Sequence, residues 1–459
     1  RLGHEVEGIE APRGAVKGVV VGHILSKEPY PYADKLSLLK VDVGADKPLD
    51  IVCGAANLDA GDKVPVATIG TSLPNGLTIK KGAIRGQTSF GMCCSEVELG
   101  LADESAGLMI LSKKAPVGAQ VGEFLGLEEA VFDLSITPNR GDCMNARGIA
   151  RDLAADYDLE LADICDIEAE VDDAVSVPTI TVDNSGDAPL YLGRRIEGVK
   201  LKESPSWMQA GLIMAGMRPV NGIVDVLNYV MLYLGQPMHA FDADKLYGEV
   251  SVRSAQKDEA FAALDGRSVK LCEGDLVVAD ATGVIALAGI MGSEPTGVTE
   301  STVNIMLESA FFRPARVSET RRSHAMVSEA SMRFERGVDP QMVALARKQA
   351  SKIIVDLYGG KVGEMSVCGS GDDINAGKQL HCNIERLESR LGVKIPKETD
   401  AVLRRMGFKI LRKADMLEVL VPQFRHDNSI PEDISEEYAR VLGIAVIPEI
   451  LTVLPNTKA

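Results

Sequence analysis

Acidic residues near the C-terminal end of the sequence have a spacing that could hold a metal ion. Asp433, Glu436 and Glu437 fall at i, i+3 and i+4 on one face of a predicted helix, and Asp427 precedes them. Like charges at these spacings repel one another, and a hard cation such as Mg²⁺, which binds carboxylates and water, would relieve the repulsion. The alternative is an acidic helix start favoured by the helix dipole, opened by a capping box over Ser429–Glu432.

Two further residues have side chains suited to recognition or acid–base chemistry. Glu308 is a carboxylate in the largely apolar run Leu307–Phe312, and His239 lies in the turn-like sequence Pro237–Asp242. Taken alone, Glu308 reads more simply as a strand residue facing solvent, and His239 as a hydrogen-bonded core histidine. The sequence has no GxSxG elbow and no evident Cys–His pair with an orienting partner, so no covalent nucleophile is predicted.

The composition is that of an ordinary globular protein of several domains. Of the 459 residues, 46% are hydrophobic and 25% are charged. No apolar run has the length of a transmembrane helix, and the eight cysteines include no CxxC pair, which argues against a zinc site or a disulfide framework. A reduced, cytoplasmic setting is therefore expected. The net charge of −17 argues against nucleic-acid binding unless basic residues cluster locally.

Strand and helix patterns divide the chain into segments. Short β-rich runs predict a small all-β barrel or sandwich at 13–122, and a longer mixed pattern predicts an α/β domain at 189–370. A compact module with three helices and a strand is predicted at 374–449. The remaining segments are an N-terminal α/β segment and linker at 1–12 and 124–188, acidic at 162–177, and a tail at 450–459.

Three local predictions accompany this division. Ser204 caps a helix that has Pro205 at its first position. Helical spacing predicts a helix over Cys382–Leu391. The apolar run Leu108–Leu111 is predicted to be one of the strands of the barrel.

Several sequence blocks, taken in order, carry a family resemblance. Pro31–Gly44, Ile51–Ala67 and Phe90–Leu101 resemble the tRNA-binding OB-fold that is appended to several tRNA synthetases. The blocks that follow are similar to the bacterial phenylalanyl-tRNA synthetase β-subunit family, and they lie at Ile136–Ala154, Asn221–Lys245, Ala286–Val298, Leu307–Phe312 and Ser328–Pro340.

The resemblance implies a multidomain α+β fold with an N-terminal OB-fold β-barrel, a central α/β editing domain and a small C-terminal winged-helix-like module. It implies tRNA binding and hydrolysis of tyrosine mischarged onto phenylalanine tRNA. Such a second site is needed because an apolar pocket rejects an added hydroxyl only weakly. The alternative is a non-catalytic scaffold for tRNA binding and subunit assembly, with a decayed editing pocket, because Ser328 stands where the family more usually has threonine.

The resemblance also assigns roles to single residues of the editing pocket. Glu308 would accept a hydrogen bond from the tyrosine hydroxyl, and His239 would orient the attacking water or the ester. Ser328 would supply a hydroxyl and Ala330 space for the ring. Gly292 would let the backbone approach the substrate, although a glycine needed only for a turn is an equal alternative.

Basic residues of the barrel are expected to be phosphate anchors for tRNA by the same resemblance. They are Lys35, Lys80, Lys81 and Arg85. Each of them, taken alone, is more simply a solvated side chain.

The resemblance implies partners and cofactors as well. Magnesium would be shared with an α subunit at Asp427, Asp433, Glu436 and Glu437, in a tetramer of two α and two β subunits. The α subunit would carry out aminoacylation, so ATP would be used by the intact enzyme and not bound by this chain. No membrane or DNA partner is expected. A degenerate synthetase-like domain and an anticodon-contacting domain would follow residue 459, so this chain is expected to be the amino-terminal part of a longer subunit.

Overall fold

The structure is a computed structural model that forms two compact units, each described here by itself. The barrel unit comprises residues 6–134 and 203–221, and the main unit comprises residues 1–5, 135–202 and 222–459. The described residues are 2–10, 17–30, 33, 36–101, 105, 107–125, 130–369, 374 and 377–449. The predicted tail at 450–459 therefore lies outside them.

A five-stranded antiparallel sheet in the order β4-β3-β2-β5-β8 forms the barrel unit. The sheet nearly closes on itself, because Phe90 N, next to β8, donates to Asp50 O on β4 at 2.9 Å. Strands β1 and β9, which come before and after the barrel strands in the sequence, form a separate two-stranded pair. The elements are β1 (Glu5–Glu10), β2 (Val19–Pro29), β3 (Ser37–Asp42), β4 (Leu49–Cys53), β5 (Lys63–Thr68), β6 (Gly82–Ile84), β7 (Gln87–Ser89), β8 (Gly91–Cys93), α1 (Val121–Phe124) and β9 (Val131–Ser135).

The predicted strand over Leu108–Leu111 is wrong. Only Leu111 forms a bridge, with Lys63, and its N–H donates to Lys63 O at 2.7 Å. The run is apolar because it packs into the barrel core, where Met109 and Leu111 are buried, and not because it forms a strand.

Two short helices follow the barrel in sequence. Helix α2 (Ala146–Asp156) begins after Asn145, whose side chain accepts from Gly148 N at 2.8 Å. Helix α3 (Ser206–Met214) packs Ala210 into the core of the barrel unit. Ser204 is not the N-cap residue as predicted, because the helix begins at Ser206 and its N-cap residue is Pro205.

Two facing sheets make up the centre of the main unit. The first is antiparallel, with the order β12-β19-β11-β20, and the second has the order β10-β13-β16-β17-β18. A buried cluster rich in aromatic and branched side chains fills the space between them. Their strands are β10 (Ile180–Val182), β11 (Leu190–Glu197), β12 (Met238–Asp242), β13 (Val250–Ser254), β16 (Leu276–Asp280), β17 (Gly283–Leu287), β18 (Met291–Gly292), β19 (Ile305–Phe311) and β20 (Lys361–Cys368), with a separate hairpin of β14 (Ala260–Ala262) and β15 (Ser268–Lys270).

Helices cover the outer face of the first sheet and link its strands. All seven residues of β19 are buried, and alternate side chains point to opposite faces. Met306 and Ala310 belong to the cluster between the sheets, whereas the Ser309 hydroxyl donates to Val343 O of the covering helix at 2.7 Å. The covering helices are α4 (Gly222–Leu234) and α7 (Met342–Tyr358), whereas α5 (Pro314–His324) and α6 (Glu329–Arg336) contribute Val317 and Phe334 to the cluster between the sheets.

The acidic segment at 162–177 has no helix and no strand, as expected of a linker, but it packs against other parts of the main unit. Glu168 forms ion pairs with Arg194 at 2.9 Å and with Arg347 at 3.1 Å. Val171 forms a parallel bridge with Val362. Glu168 therefore pairs with two buried arginines, a role that local composition did not reveal.

The C-terminal part of the main unit is a three-stranded sheet, β21-β23-β22, with three helices. The predicted helix over Cys382–Leu391 is too long, because Cys382 pairs with Leu417 in the sheet and the helix begins after Asn383, whose side chain caps it. The elements are β21 (Gln379–Asn383), α8 (Ile384–Leu391), α9 (Thr399–Arg405), β22 (Lys409–Lys413), β23 (Met416–Leu420) and α10 (Pro431–Leu442).

Candidate functional site

Strand pairing places Glu308 and His239 side by side at the centre of the main unit. In the register of β12 against β19, His239 lies directly opposite Glu308. Directly opposed residues of an antiparallel pair have their side chains on the same face of the sheet. The face is the one that carries Met306 and Phe241 towards the second sheet.

Glu308 is buried and bonded to a tyrosine. It keeps only 7% of its surface exposed, so the reading of a solvent-facing strand residue is wrong. The Tyr191 hydroxyl donates to Glu308 Oε2 at 2.8 Å. Burial raises the pKa of Glu308 to about 7, and the hydrogen bond from Tyr191 opposes that rise. A carboxylate in such a place is a strong acceptor whose charge changes near neutral pH.

His239 has a ring that is held by packing and not by hydrogen bonds. The ring lies edge-on to Phe241, with the ring centroids 4.5 Å apart and an interplanar angle of 82°. Its Nε2 atom is buried and has no hydrogen-bond partner among the described residues. Burial lowers the pKa of His239 to about 4, so the imidazole is neutral at neutral pH. A neutral imidazole with an unpartnered nitrogen can bind water or accept a proton.

Gly292, at the end of β18, leaves space for that ring. A Cβ atom built on Gly292 would lie 2.5 Å from His239 Nε2, far inside van der Waals contact. The glycine is not among the residues with positive φ, so a turn does not explain it. Its requirement is the close approach of His239, which places the imidazole against the backbone of the second sheet.

Ser328 and Ala330 lie at the start of helix α6. Ser328 is its N-cap residue, and the hydroxyl accepts from Ser331 N at 3.1 Å and donates to Ile290 O at 2.7 Å. Ile290 lies two positions before Gly292 in the sequence, so this hydroxyl ties the helix to the strand that borders His239. Ala330 is partly buried against the same core cluster. Both residues build the wall of the site, and the Ser328 hydroxyl is already engaged.

The basic residues of the barrel unit surround a short hairpin. Lys80 and Lys81 are exposed just before β6, and Arg85 lies in the β6–β7 turn with a positive φ of 50°. Lys81 Nζ stands 5.0 Å above the Phe90 ring. The structure thus gathers three of the four predicted phosphate anchors at one hairpin, while Lys35 lies outside the described residues.

The four acidic residues of the predicted metal site are committed to other partners. Arg425 donates to both oxygens of Asp427, at 2.9 and 2.8 Å, and to both oxygens of Glu437. Asp433 accepts from Ser429 N at 2.6 Å and from Ile430 N at 2.9 Å, so it caps helix α10 and the predicted Ser429–Glu432 capping box is wrong. Glu436 is exposed and accepts from Asn139 Nδ2 at 3.3 Å.

Ligand-type side chains meet at two other places in the described part of the chain. His4, Cys143 and Asp152 form one group, and Cys272, Asp275 and His324 form the other, each with ligand atoms within 4.8 Å of one another. Sequence spacing gave no sign of either group, because the histidine of each group is distant in sequence from the other two members.

Neither group has the chemistry of a built metal site, and the first has no activated thiol. In the first, Arg140 and Arg440 both donate to Asp152, at 2.9 and 2.8 Å, which places positive charge where a cation would bind. Burial raises the pKa of the Cys143 thiol far above its usual range. In the second, Asp275 Oδ2 already accepts from His324 Nε2 at 2.6 Å.

Comparison with known proteins follows the same division of the chain. Sequence profiles of a tRNA binding domain, the B3/4 domain and the tRNA synthetase B5 domain match residues 19–120, 187–359 and 380–444. The phenylalanine–tRNA ligase β subunit of Psychrobacter arcticus is 41% identical over 457 residues, and that of Pseudoalteromonas translucida is 42% identical over 453 residues. The chain belongs to the phenylalanine–tRNA ligase β-subunit family. Each match covers 98% of this chain but only 57% or 56% of the relative, so the chain spans little more than half of their length.

A solved structure also matches part of this β-subunit chain. It is an N-terminal fragment of the phenylalanyl-tRNA synthetase β subunit from Pyrococcus horikoshii, with a TM-score of 0.33 and 18% identity, over 68% of this chain and 86% of that chain. Across the described residues, no helix has both the length and the apolar character needed to cross a bilayer.

The matched ranges assign the sites to modules of the β-subunit family. The five residues of the predicted editing pocket, and Tyr191 with them, fall in the range of the B3/4 domain. Lys80, Lys81 and Arg85 fall in the range of the tRNA binding domain, and the four carboxylates fall in that of the B5 domain.

Proposed function

We propose that this chain binds tRNA and hydrolyses tyrosine mischarged onto phenylalanine tRNA, as the proofreading part of a cytoplasmic phenylalanine–tRNA ligase. The observation that carries the proposal is the buried carboxylate of Glu308, which accepts a phenolic hydroxyl at 2.8 Å within the protein itself. A tyrosyl ester presents the same donor. A phenylalanyl ester would leave a buried polar group without a partner, and that loss is the basis of strong discrimination.

Hydrolysis is assigned to a positioned water molecule. The neutral imidazole of His239 has a buried Nε2 without a partner among the described residues, on the residue paired with Glu308, and this nitrogen can hold a water by accepting a hydrogen bond from it. The Cys143 thiol of the first Cys–His group stays protonated and offers no nucleophile. Glu308 then selects the substrate, and His239 orients the attack.

The direct test is deacylation by this chain of phenylalanine tRNA carrying either tyrosine or phenylalanine. Release of tyrosine well above the rate without protein, and faster than release of phenylalanine, is the expected result. The second candidate function is a scaffold without editing activity, and it is favoured by the engagement of the Ser328 hydroxyl in capping and wall contacts. Binding of both tRNAs without deacylation of either would select the scaffold.

We assign tRNA contact to the hairpin of the barrel unit, and charge reversal tests the assignment. The double variant Lys80→Glu and Lys81→Glu should weaken tRNA binding and flatten its salt dependence, because each lost phosphate contact lowers the slope of log K against log salt by roughly one. Fluorescence anisotropy at several salt concentrations measures that slope.

A matched control for this pair lies in the same unit. Lys113 and Lys114 are also adjacent and exposed. Their reversal to glutamate changes the net charge equally and should leave most of the slope intact. Equal losses of tRNA binding from both pairs would mean that binding depends only on overall charge. That result would contradict the assignment of tRNA contact to the hairpin.

The α subunit and magnesium belong to the proposed complex and not to this chain alone. The four carboxylates do not fit a ready-made cation site, since Arg425 already neutralises Asp427 and Glu437, and the backbone of the helix start occupies Asp433. Binding of Mg²⁺ at these residues would require displacement of Arg425. We therefore place a shared magnesium site only in the assembled enzyme, with ATP bound by the partner.

Thermal unfolding with and without magnesium tests this placement. For the isolated chain, the melting temperature should be the same in millimolar Mg²⁺ and in EDTA, because ion pairs already compensate the carboxylates. The complex reconstituted with the α subunit should melt at a higher temperature with Mg²⁺. A rise in the isolated chain that is lost on Glu436→Gln would contradict the placement and indicate a preformed site.

A further inference from the structure

Tyr191 shares a buried carboxylate with the proposed editing pocket. It is fully buried on β11, with 0% of its surface exposed. In the register of β11 against β19, Tyr191 pairs with Ala310 and Gly193 pairs with Glu308. Tyr191 is thus diagonal to Glu308 on one face of the sheet, a distance that a long aromatic side chain can span. Its hydroxyl reaches Glu308 Oε2 at 2.8 Å.

The hydrogen bond is fixed by its surroundings. The Tyr191 ring packs against Phe312, with centroids 6.5 Å apart and an interplanar angle of 56°. Gly193, directly opposite Glu308, has no side chain, and Ile180 of the second sheet fills the space above it so closely that a Cβ atom there would clash. The Tyr191 hydroxyl therefore has Glu308 Oε2 as its acceptor, and Oε2 has the Tyr191 hydroxyl as its donor.

The second oxygen of the carboxylate is left for another partner. Within the described part of the chain, no group donates a hydrogen bond to Glu308 Oε1, and the residue keeps 7% of its surface exposed. An ionised carboxylate accepts at both oxygens, whereas a protonated one loses an acceptor position. What Oε1 can accept thus depends on the charge that Tyr191 helps to hold at Oε2.

We propose that Tyr191 is a positioning residue for substrate selection: its hydroxyl fixes Oε2 of Glu308 and favours the ionised carboxylate, so that Oε1 accepts the hydroxyl of a tyrosyl ester. The proposal rests on the proposed editing function. It assigns to Tyr191 a role that acts through Glu308, without contact between Tyr191 and the substrate. Two phenols, one of the protein and one of the substrate, would then share one carboxylate.

The sign of the effect follows from the groups that face Glu308. On the neighbouring strands these are Tyr191 on β11 and His239 on β12. Burial and Glu308 raise the pKa of Tyr191, and Cys368 on β20 adds to that rise. His239 is neutral, because burial lowers its pKa to about 4. Burial raises the pKa of Glu308, and Tyr191 provides the opposing hydrogen bond. Removal of the phenol hydroxyl therefore moves the titration of Glu308 to higher pH.

The first measurement is independent of activity. In the full 459-residue chain labelled with ¹³C at the glutamate carboxyl groups, the Glu308 resonance is identified by its loss in Glu308→Gln. Its titration midpoint should move upward by roughly one pH unit in Tyr191→Phe, the size expected for one hydrogen bond to a carboxylate. An unchanged or lowered midpoint overturns the proposal, whatever the activity is.

A matched control exists in the C-terminal module. Tyr438 is also fully buried, and its hydroxyl donates to the carboxylate of Asp400 at 2.7 Å. The variant Tyr438→Phe removes the same kind of bond and should leave the titration of Glu308 unchanged. An equal shift in both variants would mean a global effect of lost stability and would overturn the positioning role.

The second measurement is selectivity against pH. At pH 7, Tyr191→Phe should lower the preference for tyrosyl over phenylalanyl ester about fivefold, as expected from the smaller ionised fraction, and the preference should recover at higher pH. A loss that is the same at every pH overturns the proposal. If the midpoint moves but the parent chain shows no preference for tyrosyl ester, the proposed function fails while the role of Tyr191 towards Glu308 stands.

Discussion

Replacement of Glu308 by alanine is expected to abolish the preference of this chain for tyrosyl over phenylalanyl ester. The loss should be roughly 10- to 100-fold in relative deacylation rate, because a hydrogen bond to a charged, buried acceptor contributes about 1.5–3 kcal/mol. The rate for phenylalanyl ester should not fall, since that substrate makes no bond to the carboxylate and Glu308→Ala also removes the cost of leaving the carboxylate unpaired. Deacylation of both esters of phenylalanine tRNA, measured side by side, gives the ratio.

The control for Glu308→Ala is a second glutamate of the same domain. Glu300 is exposed, and Glu300→Ala should keep the parent ratio. If Glu308→Ala retains the full preference, Glu308 has no part in recognition, and the buried Tyr191–Glu308 pair is a structural feature only.

The pKa of Glu308 gives the same prediction a pH dependence. Because the pKa lies at about 7, the preference for tyrosyl ester should increase as the pH rises through 7. The Glu308→Gln variant has no charge to gain and should give a flat profile. The profile separates a role of the carboxylate charge from a role of side-chain volume.

Stability should vary with pH in the opposite direction. The pKa of Glu308 is raised from 4.5 to about 7, so the unfolded chain ionises first and stability falls as the pH rises from 4.5 to 7. The difference of 2.5 pH units, at 1.36 kcal/mol each, is about 3 kcal/mol. Glu308→Gln should therefore be more stable than the parent chain above pH 7, which is the exchange of stability for function expected of a binding site.

The sequence predicted the blocks of the fold better than the contacts within the site. Strand patterns predicted an all-β barrel or sandwich at 13–122, and the family resemblance favoured the barrel. Glu308 and His239 were found only through the resemblance, since a carboxylate in an apolar strand has no local sign of burial. The bond that defines Glu308 comes from Tyr191, 117 positions earlier. No periodicity within β11 or β19 indicates which strands pair or in which register.

Local signals failed where two residues competed for one role. Ser429 has the right spacing from Glu432 for a capping box, but Asp433 lies one residue further and its carboxylate binds the two free N–H groups. Gly292 was weighed as a turn glycine or as a substrate contact, and its neighbour is instead His239. The Gly292 outcome depends on His239, a side chain from a distant strand, and such contacts are set by the tertiary structure.

Helix α10 is a further case in which residue spacing did not reveal the partners of the acidic side chains. Spacing alone predicted mutual repulsion among Asp433, Glu436 and Glu437, to be relieved by a cation. The relief comes instead from arginines: Glu437 accepts from Arg425 and, at 2.8 Å, from Arg440. Burial by itself would raise the pKa of Glu437, but these two guanidinium groups outweigh it and lower the pKa to about 2.

Replacement of Glu437 by glutamine should therefore destabilise the fold by about 1.5–3 kcal/mol, because Arg425 and Arg440 lose a charged hydrogen-bond partner while Arg425 keeps Asp427 and Arg440 keeps Asp152. Glu437 and Arg425 are only 2% and 3% exposed, so water cannot take over the carboxylate's role. Chemical unfolding at pH 7, followed by circular dichroism, measures the change. Glu436→Gln is the matched control, since Glu436 is the adjacent, exposed member of the same acidic set and should change stability by less than about 0.5 kcal/mol.

The pH dependence and a double variant distinguish an ion pair from a latent metal site. A carboxyl group whose pKa is lowered to about 2 stabilises fully above its unfolded value of 4.5, and this contribution disappears as the pH falls from 4.5 to 2. The parent chain and Glu437→Gln should thus converge in stability in acid. Adding Arg425→Gln to Glu437→Gln should cost less than the sum of the two single changes, because the partners are removed together. Additive losses, or a loss reversed by magnesium, would show that Glu437 is held by something other than Arg425.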